Sequence, residues 1–272
     1  MVIDTHAHLW KNPKGLDDVV KSDLIEQVWL MEVSYYQGSA LRDLASAEEV
    51  LEVSRRYPGF FIPFGFIDFA KGPDQIDRMK EQGFVGLKAI RPPLPYDDPG
   101  YFPLYERAAI LKMPILFHVG IILKNTREEM TPTQSLGPTN MRPSMLDGIA
   151  AAFPTLPLIQ GHMGFPWLNE LFESLYYYPK IYCALCGFVD YRWLIDHLDR
   201  RCGAGNDPME TMCERMLFAT DRVYGREETA EDAERFARFI EQFFLNVGRS
   251  YIWGTKADAV MRDNARRIMD EL

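Results

Sequence analysis

The stretch "VIDTHAHL", residues 2–9, decides how the rest of the chain is read. Val2 and Ile3 open an apolar run of strand character, and His6 and His8 stand two residues apart at its end. On a strand, side chains two apart share a face, so both imidazoles point to one side. The chain has five histidines. Two of them spent here are informative only if the others fall where a common site needs them, and that depends on the fold.

Apolar runs of strand length recur after this one. They are "IEQVWLMEV" (25–33), "FFIPFGFID" (60–68), "FVGLKAI" (84–90), "PILFHV" (114–119), "LPLIQGH" (156–162), "KIYCALC" (180–186) and "RMLFATD" (215–221). Between them lie "LRDLASAEEVLEVSRRY", "PDQIDRMKEQ", "YFPLYERAAILK", "RPSMLDGIAAAF", "PWLNELFESLYYY" and "YRWLIDHLDRRC", most with apolar residues three and four apart, as in amphipathic helices. The first connection, "GLDDVVKSD", is short. After the last strand come "TAEDAERFARFIEQFF" and "DAVMRDNARRIMDEL". Eight strand–helix alternations predict an α/β protein, a closed parallel (β/α)8 TIM barrel forming a single domain over 1–272. A doubly wound open sheet competes, but it carries a Gly-rich phosphate loop after its first strand, and none is present. No repeat or low-complexity tract interrupts the pattern. One long irregular stretch follows strand five, residues 121–141, and its length suits a lid over a site.

Composition narrows the partners. With 47% hydrophobic and 25% charged residues the chain reads as an ordinary globular protein with a large core. A net charge of −9 argues against nucleic acid and anionic membranes, both of which need a positive field. No apolar run reaches the roughly 18 residues of a membrane span, and no basic-then-apolar leader is visible, so a cytoplasmic location is the default expectation. Four cysteines are too few and scattered for a disulfide framework. Cys183 and Cys186 form C-x-x-C, but residues three apart on a strand face opposite ways, so both read as buried apolar thiols.

In a parallel barrel, chemistry collects at the C-terminal ends of the strands. His6 and His8 end strand one, His118 ends strand five, His162 ends strand six and Asp221 ends strand eight. Strand eight closes against strand one, which makes Asp221 a neighbour of His6 and His8, while His118 approaches from the far wall. Imidazoles with one carboxylate suit one first-row divalent ion, zinc first and manganese second. Taken alone, His118 also reads as a core histidine. Asp4 reads as structural, given its depth in the strand. His197 sits on a predicted amphipathic helix and reads as solvent-facing.

These motifs, "DTHAHL", "LFHVG", "GHMG" and "ATD", in this order at strand ends, resemble the amidohydrolase superfamily. More narrowly the chain resembles its amidohydrolase-related branch, which holds aminocarboxymuconate-semialdehyde decarboxylase-like enzymes and lactonases. "RPSMLDGIAAAFPTLPLIQGHMGFPWLNEL" and the closing "DNARRIMDEL" fit the same pattern. The resemblance implies that His6, His8, His118 and Asp221 hold one metal and that His162 acts as acid/base or polarises the substrate. A second-metal ligand is the other role open to His162. The family often writes "HTG" and "SD" where this chain has "HVG" and "TD", and often has serine where Cys186 stands. In binuclear relatives a strand-four lysine is carbamylated. One metal is usual in this branch, so Lys88 reads as a buried charge partner or a substrate contact.

The expected chemistry is hydrolysis of a small anionic carbonyl compound, a lactone, ester or amide, with Asp221 taking the proton of an attacking water. Nonoxidative decarboxylation of an aromatic or unsaturated acid is the alternative. A TatD-like nuclease shares "DTHAHL" but usually has an acidic ligand where this chain has Lys88. A barrel with no activity would show a broken ligand set, and this one is intact. Lys88, Arg91, Arg142 and Arg222 are candidate substrate contacts, with Lys124 and Arg127 in the long loop. Arg142 reads equally well as a surface residue; Glu32 and Tyr224 are weaker rim candidates. Barrels of this type are often dimers, which leaves a homodimer open.

Overall fold

The computed structural model describes residues 1–33, 43–120, 122, 138–186, 212–226, 229–249 and 256–272. Within these residues, one parallel sheet runs through the chain. Its strands are β1 (Val2–Leu9), β2 (Ile25–Met31), β3 (Phe61–Phe66), β4 (Gly86–Ala89), β5 (Ile115–His118), β6 (Leu158–Gly161), β7 (Ile181–Leu185), β8 (Met216–Phe218) and β9 (Arg222–Tyr224). Each pairs in parallel with its neighbour in the order β8-β7-β6-β5-β4-β3-β2-β1-β9. The intervening helices are α1 (Leu16–Lys21), α2 (Ala47–Arg56), α3 (Asp74–Gln82), α4 (Phe102–Ile110), α5 (Met145–Ala152) and α6 (Leu168–Tyr177). α7 (Ala230–Arg249) and α8 (Asn264–Asp270) follow the last strand.

The sheet closes in a way the sequence pattern did not anticipate. The run "RMLFATD" reads as one strand, but its pairing with β7 ends at Phe218, and β9 resumes beside β1 at Arg222. β8 and β9 are the two halves of the eighth strand. The break sits at Asp221, whose φ of 57° is left-handed and ends an extended run. Several bonds span the break. Asp221 N–H donates to the His6 carbonyl at 2.7 Å, Thr5 Oγ1 to the Phe218 carbonyl at 2.8 Å, and Thr220 N–H to Asp4 Oδ1 at 3.0 Å.

Period-two alternation sorts the apolar residues into two layers. Ile3, Trp29, Met31, Phe64, Leu116, Ile159, Ala184 and Leu217 pack inside the barrel. Val28, Leu30, Phe61, Leu87, Phe117, Leu158 and Cys183 face the helices. Ala265 and Ile268 of α8 join the inner layer, and Asn264 anchors that helix by donating to the Cys213 and Met216 carbonyls, 2.8 Å each. Each fully buried Leu, Ile or Phe contributes roughly 1.5–3 kcal/mol of transfer free energy.

Helix starts follow local chemistry. Within the run 41–57, α2 begins at Ala47. There Ser46 and Glu49 form a reciprocal capping box: Glu49 N–H donates to Ser46 Oγ at 3.3 Å and Ser46 N–H to Glu49 Oε2 at 2.9 Å. No helix among the described residues is long and apolar enough to cross a membrane. Most of the expected lid, 121–141, and the expected helix carrying His197 lie outside the described residues, as do Lys124 and Arg127.

Candidate metal centre

Two alternating residues at the end of β1 bring His6 and His8 to the rim on one side, as their spacing requires. The left-handed turn at Asp221 brings its carboxylate to meet them. Asp221 Oδ1 lies 3.2 Å from His8 Nε2 and 3.6 Å from His6 Nε2, and Oδ2 lies 3.9 Å from His162 Nδ1. Ligand atoms of His6, His8 and Asp221 all lie within 4.8 Å of one another. Atoms bound tetrahedrally at about 2.0–2.1 Å from zinc stand roughly 3.3 Å apart, so the two closest of these separations match a shared cation.

One hydrogen bond makes the fit sharper. His8 Nδ1 lies 3.0 Å from the Met31 carbonyl, which can only accept, so His8 carries its proton on Nδ1. Its Nε2 then presents a lone pair to the Asp221 carboxylate at 3.2 Å. Two electron-rich atoms facing each other call for a cation or a proton between them. A backbone carbonyl behind a ligating histidine is also the usual orienting partner in metal sites.

The surroundings set the charge states. His6 is fully buried, and burial together with the nearby Lys88 ammonium drives its imidazole well below the usual histidine range, with Asp221 opposing. Burial likewise brings His162 down to about 4, with Asp221 resisting and Lys88 adding to the fall. Burial pushes the Asp221 carboxyl up, but the imidazoles of His162, His6 and His8 outweigh it and hold the group well below the ordinary carboxylate range. Lys88, 1% exposed at the end of β4, reaches His6 Nε2 at 3.0 Å, and burial lowers it to about 8 while Asp221 and Cys186 hold it up. Burial thus opposes the charged forms of His6, His162 and Lys88, and the Asp221 carboxylate works against that trend.

The backbone of the rim is itself unusual. Arg91, His162, Met163 and Asp221, each just past a strand end, have φ of 48°, 56°, 54° and 57°. Such residues cost of order 1–3 kcal/mol each and gather at functional sites. Gly161 leaves room for the cluster. A Cβ on it would stand 3.4 Å from His6 Cε1 and 3.1 Å from the Phe117 carbonyl oxygen.

The other expected residues divide. The ring of His118 lies against His162, with centroids 4.1 Å apart, and is absent from the three-ligand groups found among the described residues. Arg91 is buried beyond β4, its N–H facing Met141 Sδ at 3.1 Å. Arg142 is paired with Glu170 and lies over the Trp167 ring at 5.1 Å. Arg222 turns to the outer layer, its guanidinium 4.8 Å from the Phe236 centroid and 5.1 Å from that of Tyr224. Asp4 lies behind the cluster, accepting from Thr220 Oγ1 at 2.5 Å and Tyr224 Oη at 3.0 Å, which accords with a structural role. Glu32 is buried, and its N–H donates to the Phe64 carbonyl.

The sequence reading undervalued Cys186. The C-x-x-C pair does split between faces, with Cys183 in the outer layer and Cys186 in the inner one. Cys186, however, is more than an apolar thiol: its Sγ lies 3.2 Å from His6 Nδ1. The available signal was its position just past the end of β7, the same rim that carries the histidines.

Comparison with known proteins agrees with this architecture. No curated protein matches the chain. Among solved structures, an uncharacterized TIM-barrel protein from Bordetella bronchiseptica superposes with a TM-score of 0.68 at 18% identity, covering 99% of this chain and 98% of that one. A candidate 2-pyrone-4,6-dicarboxylic acid hydrolase from Pseudomonas putida gives 0.59 at 16% identity, covering 99% and 97%. A dihydroxybenzoic acid decarboxylase from Polaromonas, solved with manganese and the inhibitor 2-nitroresorcinol, gives 0.58 at 18%, covering 99% and 96%. The model of the amidohydrolase family Amidohydro_2 matches residues 3–269, nearly the full barrel with its rim histidines, and the chain belongs to that family.

Proposed function

We propose that this protein is a metal-dependent hydrolase of a small anionic carbonyl compound, of lactone, ester or amide type. The observation that carries the reading is the meeting of the Asp221 carboxylate with His8 Nε2 at 3.2 Å and His6 Nε2 at 3.6 Å, with His162 Nδ1 beside it at 3.9 Å. That places a carboxylate to take the proton of an attacking water, the transfer that hydrolysis needs first. His6, His8, His118 and Asp221 are assigned to the metal, zinc first and manganese second. The manganese of the Polaromonas decarboxylase supports keeping the second ion in view. When bound, such an ion lowers the pKa of a coordinated water toward neutrality and polarises a carbonyl.

The chain's own groups supply the proton handling. Asp221 accepts the proton of the attacking water. Its Oδ2 adjoins His162 Nδ1 at 3.9 Å, which places the imidazole to pass a proton on to the leaving oxygen or nitrogen. Lys88 and Arg91, both buried at the end of β4, are assigned to the substrate's carboxylate.

Decarboxylation is the second reading, and Lys88 is the observation that favours it. It is the group of the cluster that still carries an acidic proton near neutrality, as protonation of a ring carbon requires. The fold shared with the Polaromonas decarboxylase points the same way. A panel of lactones, esters and aromatic acids, followed by both proton release and carbon dioxide evolution, separates the two. Carbon dioxide as product replaces the hydrolase reading.

A further inference from the structure

His6 has two faces, and only one of them belongs to the site above. Nε2 looks toward Asp221 and Lys88, whereas Nδ1 looks toward Cys186 Sγ at 3.2 Å. On the other side of that sulfur, His162 Nδ1 lies at 4.0 Å. Ligand atoms of His6, His162 and Cys186 all lie within 4.8 Å of one another, and all three residues are buried. For tetrahedral zinc, with Zn–S near 2.3 Å and Zn–N near 2.0–2.1 Å, the N···S separation is about 3.6 Å. The two observed separations bracket that value.

We propose that Cys186, His6 and His162 form a second cation seat, selective for thiophilic ions such as cadmium, zinc and copper(I), and that filling it disables the hydrolytic site. Selectivity follows from the donors: two imidazoles and a thiolate favour soft ions over magnesium or manganese. Binding exchanges the S–H bond for a metal–sulfur bond and releases the thiol proton to solvent. Antagonism follows from His6. A neutral imidazole has one lone pair, and Nδ1 can bind a cation only if the proton sits on Nε2. In that tautomer Nε2–H faces the Asp221 carboxylate and is lost as a donor atom for the ion shared with His8. His162 is also withdrawn from acid/base work. Lys88, which meets Nε2 at 3.0 Å, favours the opposite tautomer, so the second seat fills only when a soft ion is in excess.

The test uses the full chain, stripped of metal and titrated with cadmium while the sulfur-to-metal charge-transfer band in the near ultraviolet is followed. The wild type and Cys183→Ser develop the band, since Cys183 lies in the other layer. Cys186→Ser loses it and binds cadmium more weakly by at least the 10–100-fold typical of disturbing a metal site's partners. His162→Asn weakens the band as well, which keeps the test valid if the cysteine variant folds poorly. His8→Asn keeps it while losing manganese, so failure of the primary site and failure of this one give different results. A wild type with no band, or a band unchanged in Cys186→Ser or His162→Asn, overturns the proposal.

Discussion

The backbone N–H of Asp221 donates to the carbonyl of His6 at 2.7 Å, so one of the bonds that close the barrel joins two residues of the candidate metal centre. Their side chains then meet at 3.6 Å. Closing the sheet and assembling the site are one structural event here. A change that loosens the break in strand eight must therefore register in both stability and metal binding.

Asp4 is the place to test that coupling. It accepts from Thr220 N–H, Thr220 Oγ1 and Tyr224 Oη across the break. Asp4→Asn leaves one acceptor oxygen and should cost about 1–3 kcal/mol. Burial raises the Asp4 carboxyl to about 6 despite these bonds, from an ordinary 3.8. A folded value above the unfolded one means the contribution is full below about pH 4 and fades as pH rises through 6. Urea unfolding from pH 4 to 7 should therefore show a falling component in wild type that Asp4→Asn lacks. Parallel profiles for the two proteins would refute this.

Metal content separates ligands from proton carriers. Protein purified without chelator should hold about one divalent ion per chain. His8→Asn should lose it, because His8 faces Asp221 at 3.2 Å with its tautomer fixed by the Met31 carbonyl. His162→Asn should keep the ion and lose about 10²–10⁴-fold in turnover. Elemental analysis and turnover measured on the same preparations decide it, and an emptied site in His162→Asn would make that residue a ligand. His118→Asn in the same series tests the fourth ligand.

Lys88 costs the fold what it gives the site. Burial depresses it from 10.5 to about 8, so the folded protein resists its charge. With the folded value below the unfolded one, the associated stability is present above about pH 10.5 and lost as pH falls through 8. At pH 7 the cost is of order 3 kcal/mol. Lys88→Met should therefore stabilise the metal-free protein at pH 7 by up to about that amount, with the gain shrinking above pH 8, while activity falls. Denaturant titrations at pH 7 and 9.5 check it; a variant less stable than wild type at pH 7 contradicts it.

The contrast between Asp221 and Cys186 shows what could be read from sequence. Hydrophobic periodicity gave strand boundaries within a few residues, because a two-sided core demands alternation that can be counted. The same alternation put His6 and His8 on one side. The left-handed turn at Asp221 left no such trace, since it answers to bonds with His6 and Asp4, far away in the chain. Cys186 is buried on the face opposite Cys183, as expected, but its contact with His6 left no trace, because a thiol's neighbours are set by the fold and His6 is 180 residues distant. Arg142 and Arg222 were even harder: a guanidinium reaches so far that its partners, Glu170 and the rings of Tyr224 and Phe236, are set by tertiary packing.

That packing sharpens the expectation for the substrate's charge. Of the cations expected at the mouth, Arg142 is engaged by Glu170 and Trp167, and Arg222 lies over two outer-layer rings. Lys88 and Arg91 are both buried at the end of β4, with Lys88 3.0 Å from His6, while Lys124 and Arg127 lie outside the described residues. A charge-assisted hydrogen bond is worth about 1.5–3 kcal/mol. Removing one should raise KM for an acid substrate by roughly 10–150-fold, at the tenfold-per-1.4 kcal/mol scale. Arg91→Leu should show that loss, and Arg142→Leu should leave KM within about threefold, as expected of a residue away from the reacting group. Acids should likewise be preferred over their methyl esters or amides by a similar factor. Preference for the neutral analogues, or equal effects of the two arginine variants, would remove the anion from the proposal. The same panel reports the reaction: a ring-opened acid formed without carbon dioxide marks hydrolysis, in which Asp221 acts first, and carbon dioxide marks protonation at carbon, in which Lys88 does.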